Sequence, residues 1–359
     1  MKQGEEPTNP IFSVSPENFL PGIVFSWFGP FFLLFAGPQI RFVRKRKLMA
    51  RYAILMLLVT SITHSQMSFM GSPDEIEIAG LEYGYLPELG NTELRTFKAN
   101  INLAKPIGKS IIGFGLSYQN FGFSFDEATN VIDLDGYGNM HAIRANLSFI
   151  RPLGNSWAVV ASVGPSLMSN FGDGISSEDL VFNVLAATTK RWGDSDRNTM
   201  IMVGLIYGAQ FGEPRVFPAL SLRQKLNPHW SYSVGLPVTG LNYRINDRHR
   251  ISVLASPEGL FANNSNPVAV EGNRSLSDTK LLFNGLNTRL AYTYRFTKFL
   301  AFSVEGGFIP ISNLRILDNE NQDIYDFEPD SGAYFKAGLK LVLNRKQRIE
   351  TIKESNDEN

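Results

Sequence analysis

The stretch Thr96–Leu103, Thr-Phe-Lys-Ala-Asn-Ile-Asn-Leu, decides the fold class because its apolar and polar side chains alternate without a break. The apolar positions are Phe97, Ala99, Ile101 and Leu103. The polar positions between them are Lys98, Asn100 and Asn102. Successive side chains of a β-strand point to opposite faces, so strict alternation predicts a strand with one apolar face and one polar face.

The same alternating unit recurs from Leu81 to Leu343, with turns between the runs and no helical periodicity. Fourteen strands are predicted, at 77–86, 94–106, 110–124, 139–152, 156–169, 179–192, 199–212, 216–227, 230–236, 240–246, 249–257, 281–295, 299–309 and 333–344. Most exceed the about five or six residues of a typical globular strand and match the roughly nine to eleven that cross a bilayer at a tilt. If residues 230–246 form one irregular crossing, as Pro237 and Gly240 permit, the count is twelve.

The connections between these runs alternate in kind. One set is short and rich in turn-forming residues, at 105–109, 151–155, 226–229, 246–248 and 295–298. The other set is longer and more acidic, at 125–138, 170–178, 258–280 and 310–332. Short turns at one end and long loops at the other are typical of outer-membrane barrels, which have an even number of strands. The pattern therefore predicts an all-β fold, an antiparallel transmembrane β-barrel of about 14 strands with short periplasmic turns and longer acidic extracellular loops.

A soluble β protein with its apolar faces packed inside is the alternative interpretation, because one-sided antiparallel sheets alternate in the same way. The length of the strands and their number in one unbroken series favour the barrel. Closure also removes unpaired strand edges, which a bilayer does not tolerate. On this interpretation Phe97, Ile101 and Leu103 face lipid, whereas Lys98 and Asn100 face a polar interior.

A secretory signal is predicted ahead of the strands. The basic residues Arg44–Lys47 precede a short apolar core, and small residues follow it at a suitable cleavage site. The segment before Met49 is interpreted as upstream sequence read in frame; the alternative is an inner-membrane hairpin. The predicted divisions are an upstream segment at 1–48, a signal peptide at 49–65, a barrel at 66–344 and a polar disordered tail at 345–359.

The predicted interior face carries mostly polar and basic candidates for a pore lining. They are Lys98, Asn100, Asn102, Gln119, Arg144, Asn146, Arg223, Lys225, Asn242, Arg244, Arg289, Glu305, Lys336 and Lys340. Basic side chains outnumber the acids on this face, Glu82 and Glu305, and rings of basic residues favour anions in a pore. Alternatively, the charges pair across the lumen and brace the wall. The acids are too few to neutralise every base unless loops fold inward.

Several other classes are disfavoured by composition and motif content. The 359 residues carry no net charge, which argues against a dedicated nucleic-acid binder, and contain no cysteine for a disulfide, a thiolate zinc site or a nucleophile. The run Asp133–Gly136 superficially resembles a calcium loop but lacks the full ligand pattern. Ser233 near His229 is a loose pairing without an enzyme motif around it. No catalytic residue, cofactor or metal site is predicted, and the protein is expected not to be an enzyme.

Two runs of turn and strand-start residues carry a family resemblance. Arg151–Gly154 leads into Trp157, and Gly235–Pro237 is followed by Leu241–Arg244. Together they resemble an uncharacterised family of bacterial outer-membrane β-barrels, porin-like and without an assigned substrate, over roughly residues 75–344. The resemblance implies the fold, and it transfers no binding residue.

The functional expectation is a porin-like channel or transporter for a small solute, with anions favoured, in the outer membrane of a Gram-negative cell. A non-transporting structural or surface-interaction barrel is the alternative. The expected partners are outer-membrane lipid, lipopolysaccharide and the barrel assembly machinery, with no nucleic acid among them. The last strand, Tyr334–Leu343, ends in leucine, whereas barrels of this class usually end on an aromatic residue that the assembly machinery recognises. Either the assembly signal is non-standard, or the recognised aromatic residue is the internal Phe335.

Overall fold

The computed structural model describes residues 75–125, 132–194, 196–209, 211–270, 274–329 and 331–344. The predicted upstream segment at 1–48, the signal peptide at 49–65 and the tail at 345–359 lie outside the described residues. No helix in the described part of the chain is long and apolar enough to cross a membrane, a finding that does not bear on crossing by strands.

The described residues form eighteen β-strands and two short 3₁₀ helices. The first nine strands are β1 (Glu75–Leu86), β2 (Thr92–Ile107), β3 (Ser110–Phe125), β4 (Asn139–Gly154), β5 (Trp157–Ser169), β6 (Leu180–Gly193), β7 (Asn198–Gly208), β8 (Arg215–Lys225) and β9 (Trp230–Gly235). The others are β10 (Thr239–Arg244), β11 (His249–Asn264), β12 (Val268–Val270), β13 (Arg274–Leu276), β14 (Thr279–Arg295), β15 (Leu300–Ile309), β16 (Ser312–Leu317), β17 (Asp323–Asp326) and β18 (Gly332–Asn344). The 3₁₀ helices are Asp135–Tyr137 and Ser177–Asp179.

Fourteen of these strands form a closed antiparallel barrel. Strands β1 to β11 follow one another around the wall, and β14, β15 and β18 complete it. The ring closes where β1 pairs with β18 and where β11 pairs with β14. The predicted barrel of fourteen strands is therefore confirmed. The alternative of twelve is wrong, because β9 and β10 are separate strands that pair with each other from Gly240↔Ser233 to Tyr243↔Trp230.

The two ends of the barrel differ as predicted. At one end, which we call the short-turn end, tight connections join β2 to β3, β4 to β5 and the later pairs, and Glu75 lies opposite Asn344. At the other, the loop end, the connections are longer, with one exception between β9 and β10 at residues 236–238. The wall is lowest there, since each of these two strands has six residues.

Alternation along the strands separates an apolar exterior from a polar interior. In β2, Phe97, Ile101 and Leu103 are 41–57% exposed, whereas Asn100 and Asn102 are 8% and 3% exposed. Apolar side chains are likewise exposed along β3, at Ile112, Phe114, Leu116 and Tyr118. The side-chain orientation that the alternation predicts is confirmed in these strands.

Two of the predicted loops are wrong in part, because they contain regular strands. Residues 258–280 include the end of β11, the hairpin β12–β13 and the start of β14, and residues 310–332 include β16 and β17. Strand β16 continues the direction of β15 and pairs with the loop-end half of β14, from Gly285↔Ser312 to Lys280↔Leu317. Strands β11 and β14 stay paired as far as Asn264↔Thr279, beyond the ends of the neighbouring wall strands, and β16 pairs with this extension of β14.

The added strands form a cap at the loop end. We use the term cap for β12, β13, β16, β17 and the loop-end halves of β11 and β14. Asn263 at the tip of β11 pairs with Ser169 at the end of β5, although five strands separate β5 from β11 along the wall. The cap therefore reaches across the loop ends of β6–β10.

An apolar core fills the space between the cap and the barrel wall. It includes Phe121, Met140 and Met168 from the wall together with Leu260 and Phe283 from the cap. In β14, Leu281, Leu282 and Phe283 are all at most 2% exposed. Because successive side chains point to opposite faces, both faces of the cap sheet are covered in this segment.

Candidate functional site in the barrel interior

The structure places all fourteen predicted lining residues on the interior face of the barrel strands. Their side chains are buried or half-buried, although they belong to strands whose alternate residues are exposed on the outside. They fall into two groups on different parts of the wall. The first group lies on β1–β4, β14, β15 and β18 and consists of Lys98, Asn100, Asn102, Gln119, Arg144, Asn146, Arg289, Glu305, Lys336 and Lys340. The second lies on β8 and β10 and consists of Arg223, Lys225, Asn242 and Arg244.

Charges in the first group pair with carboxylates across neighbouring and opposite strands. Lys336 Nζ lies 3.2 Å from Glu258 Oε1, and Arg289 Nε lies 3.4 Å from Glu305 Oε2. Lys340 Nζ lies 3.7 Å from Glu77 Oε2. For this part of the wall, the interpretation that inward charges pair across the lumen describes the geometry.

Polar side chains extend the same network. Asn100 Nδ2 donates to Glu77 Oε1 at 2.9 Å, and Asn102 Nδ2 donates to the Glu77 backbone oxygen at 3.4 Å. Lys98 lies directly opposite Glu82 in the β1–β2 pairing. Hydrogen bonds and opposite charges of this kind compensate polar groups for the hydration that they lose on partial burial.

Arg144 belongs to this wall as well, and its contacts are to neutral atoms. Its Nη1 donates to Gln119 Oε1 at 3.1 Å, and its Nη2 lies 3.8 Å from Met168 Sδ. Asn146 follows two residues later on the same face and is half-buried. Arg144 therefore contacts the lower surface of the apolar core as well as the polar interior.

Two interior carboxylates were missed in the sequence. Glu77 was not among the predicted interior acids. An irregularity in the β1–β18 register lies between Glu77 and Ala79, and the Glu77 carboxylate faces the interior, where it contacts Asn100 and Lys340. Glu258 fell in a predicted loop, whereas β11 continues through it to Asn264. The interior acids of the described barrel strands are thus Glu77, Glu82, Glu258 and Glu305.

The second group forms a basic wall together with two residues that the sequence interpretation did not single out, Arg191 on β6 and Arg250 on β11. Arg191 and Arg223 flank Met200 in the pairings of β6, β7 and β8. Arg244 lies directly opposite Arg250 in the β10–β11 pairing. This wall therefore gathers cations toward the short-turn end of the barrel.

A buried polar cluster fixes the cap to the β5–β6 loop. Lys280 Nζ, on a residue only 4% exposed, donates to Asn263 Oδ1 and to Glu178 Oε2, both at 3.0 Å, and to the Glu178 backbone oxygen at 3.2 Å. Asn263 Nδ2 in turn donates to Asp179 Oδ1 at 2.8 Å. We call Glu178, Asp179, Asn263 and Lys280 the latch.

The β3–β4 connection meets the cap at a second point. Tyr137, in the first 3₁₀ helix, is fully buried and its hydroxyl lies 2.6 Å from Thr279 Oγ1. Burial raises the pKa of Tyr137 to about 12, since the phenolate would lose its hydration there. Asn170 Nδ2 bonds to Asn264 Oδ1 at 2.5 Å and so ties the β5–β6 loop to the tip of β11.

The structure separates the residues considered for other chemistry. Ser233 faces the interior on β9, whereas His229 lies in the turn before it, with Nδ1 2.7 Å from the Arg244 backbone oxygen. Part of the calcium-like run is the 3₁₀ helix Asp135–Tyr137. Within the described ranges, no group of three or more histidine, aspartate or glutamate side chains is arranged to hold a metal ion.

Comparison with known proteins identifies the family. Residues 95–342 match a family described as a domain of unknown function, DUF6268. The chain belongs to the DUF6268 family. The resemblance to an uncharacterised family of outer-membrane barrels is thereby confirmed. No curated protein matches the sequence significantly.

Several solved outer-membrane barrels overlap the DUF6268 barrel weakly. A structure of the NanC porin gives 8% identity and a TM-score of 0.35, covering 73% of this chain and 98% of its own. LpxR from Salmonella typhimurium gives 8% identity and a TM-score of 0.36, covering 73% of this chain and 99% of its own. The toluene transporter TodX of Pseudomonas putida gives 9% identity and a TM-score of 0.30, covering 78% of this chain and 91% of its own. Overlaps this weak transfer no ligand or activity to this chain.

Proposed function

We propose that this DUF6268 protein is an outer-membrane channel for a small polar solute, with anions favoured, and that the cap is its gate in the closed position. The observation that carries the proposal is the division of the interior into two parts. Below the cap the interior is lined by charged and amide side chains, whereas at the loop end the apolar core fills it. A wall meant only to be stable would gain more from apolar packing than from buried charges.

The outer membrane is the proposed location because the barrel exterior is apolar along its strands. Trp157, Trp192 and Trp230 are 38–42% exposed near the short-turn end, where aromatic side chains of membrane barrels meet the interface. Membrane lipid and lipopolysaccharide would contact this surface, and the barrel assembly machinery would insert it. A shift in gel migration after heating would support the folded membrane barrel.

The latch and the apolar core stabilise the closed cap by two different kinds of interaction, which is consistent with a gate. The apolar core is non-directional, whereas the latch depends on a few specific hydrogen bonds to Lys280 and Asn263. Removing the latch therefore weakens the closed cap without altering the membrane-spanning wall.

Planar-bilayer recording of the purified full chain tests the channel directly. Wild type is expected to be mostly closed, with rare openings, and a variant lacking the latch lysine is expected to open far more often. Current that stays at the bare-bilayer level in both proteins, when both show the heat-dependent migration of a folded barrel, would contradict a channel function.

The second candidate is a non-transporting structural or surface-interaction barrel, and the closely packed cap favours it. Leu89, Tyr137 and Leu260 are fully buried beneath or within the loop-end elements, so apolar side chains pack between the cap and the wall there. A cap variant that folds, exposes its core amides to exchange and still carries no current would support this candidate.

A further inference from the structure

The interior of β6–β11 contains four arginines toward the short-turn end of the barrel. Arg191, Met200, Arg223 and Ser233 are successive partners across β6, β7, β8 and β9. Arg244 and Arg250 lie opposite each other on the next two strands, where side chains of a direct pair are about 4.5–5.5 Å apart at Cβ. Like charges directly opposite each other on neighbouring strands are destabilising, and a bound anion near them would reduce that repulsion.

The arginines act on one another electrostatically. Arg191 and Arg250 are among the charged groups that act on Arg223, which is only 7% exposed, and Arg250 also acts on Arg244. Guanidinium groups remain protonated in proteins, so this wall keeps its positive charge.

The carboxylates of the barrel lie elsewhere. At the interior positions of β6–β10, as far as the structure describes them, there is no aspartate or glutamate. Asp247 lies near Arg244 and Asp194 near Lys225, both in turns at the rim. Glu77, Glu82 and their neighbours occupy the opposite wall, where lysine and arginine pair with them.

Neutral hydrogen-bonding groups surround the arginines. Ser231, Ser233 and Ser252 face the same space and are 6–9% exposed, and Ser252 Oγ donates to Asn242 Oδ1 at 2.7 Å. Ser221 is 2% exposed and its Oγ has no hydrogen-bond partner, which is also true of Arg191 Nε. A buried donor without a hydrogen-bond partner is unfavourable, so these two atoms point to a ligand that accepts from them.

We propose that this wall is a binding site for an oxyanion, a carboxylate or phosphate group of the solute, with Arg191, Arg223 and Arg250 as its cationic donors. The proposal rests on the channel function, and it names the class of solute. The planar fork of a guanidinium matches the oxygen pairs of carboxylate and phosphate, and charge-assisted hydrogen bonds of this kind are stronger than neutral ones. The hydroxyls of Ser221, Ser231 and Ser233 would add hydrogen bonds to the anion, since each can donate one.

Calorimetric titration of the full-length barrel in detergent tests the site without requiring any current. Inorganic phosphate and citrate are the two probes, because they separate a preference for phosphate from one for carboxylate. Saturable binding of either is expected in wild type. Arg223→Gln and Arg250→Gln are each expected to weaken that binding at least tenfold, whereas Arg151→Gln, with the same loss of charge at an exposed residue of β4, is expected to change it less than twofold.

Heat-dependent gel migration checks that each variant is folded, and Arg250→Gln serves if Arg223→Gln does not fold. The absence of saturable binding for both probes in wild type, or an equal loss in Arg151→Gln, would overturn the site. Failure of the site and failure of the channel remain distinguishable. Phosphate binding without current in any cap variant removes the channel and leaves the site, and current without phosphate or citrate binding removes the site alone.

Discussion

Replacing Lys280 by methionine is the sharpest perturbation of the proposed gate. Methionine keeps an unbranched apolar stem of similar length, so packing around it is preserved, and only the ammonium donor is lost. That group makes three hydrogen bonds, to Asn263 Oδ1 and to the side chain and backbone of Glu178. We expect Lys280→Met to open the cap while leaving the fourteen-stranded wall folded.

The size of the effect follows from the surroundings of each partner. The Glu178 side chain is 49% exposed and regains water, so its ion pair contributes about 0–1 kcal/mol. Asn263 is 1% exposed, and its oxygen would lose a charged donor, which costs about 1–3 kcal/mol. The hydrogen bond to the Glu178 backbone contributes about 0.5–1.5 kcal/mol, so the closed cap loses about 1.5–5.5 kcal/mol in all. At tenfold per about 1.4 kcal/mol, the open population rises roughly 10- to 10,000-fold.

Hydrogen exchange of the backbone amides of residues 258–264, at the tip of β11, measures this population, and single-channel recording measures its consequence. Lys298→Met is the matched control, because Lys298 is exposed in the β14–β15 turn at the other end of the barrel. We expect faster exchange and higher open probability in Lys280→Met alone. Exchange and open probability equal to those of the control would refute the assignment of the latch.

Two further predictions concern packing and pH. Gly164→Ala is expected to lower the free energy of barrel unfolding by at least about 1–3 kcal/mol in urea titrations. The reason is that the added Cβ would lie 2.0 Å from the Ala145 backbone oxygen. Gly306→Ala is the control and is expected to match wild type, because its added Cβ would have nothing within 4 Å. The pKa of Tyr137 is raised from about 10 to about 12. The contribution of its protonated hydroxyl to cap closure is therefore complete below pH 10 and is lost as the pH rises through about 12. The full contribution to the free energy of closure is about 2–3 kcal/mol. Open probability is thus expected to rise between pH 10 and 12, and a Tyr137→Phe variant that shows the same rise would refute this assignment.

The strands of the wall could be predicted because alternation is a local property that each strand displays separately. Phe97, Lys98 and Asn100 take the faces that their positions indicate. Register irregularities are not local in this sense. The one in β1, between Glu77 and Ala79, depends on the pairing with β18, more than 250 residues away, so alternation within β1 alone could not place Glu77 on the interior face.

The cap could not be predicted from alternation, because its sheet is buried on both faces. Leu281, Leu282 and Phe283 form a continuous apolar run, which is the pattern of a strand covered on two sides rather than of a lipid-facing one. Arg191 and Arg250, unlike the cap strands, could have been predicted, because alternation in their own strands places both side chains in the interior. Including them would have predicted a basic wall that extends over β6, β8, β10 and β11.

A reversible cross-link between the cap and the wall tests whether the cap gates the lumen. Ser169 and Asn263 pair directly across the cap and the wall, and paired residues of neighbouring strands lie about 4.7–4.9 Å apart, within the about 4.4–6.8 Å between Cα atoms that a disulfide needs. The chain has no cysteine of its own, so a Ser169→Cys, Asn263→Cys double variant would carry the only thiols.

Bilayer current through that variant is the measurement. We predict no current under oxidising conditions, current after addition of a reductant, because the cross-link is gone and the latch has lost Asn263, and no current again after reoxidation. Wild type is expected to be insensitive to the reductant. The same current in the oxidised and the reduced double variant, whether zero or not, would contradict the account.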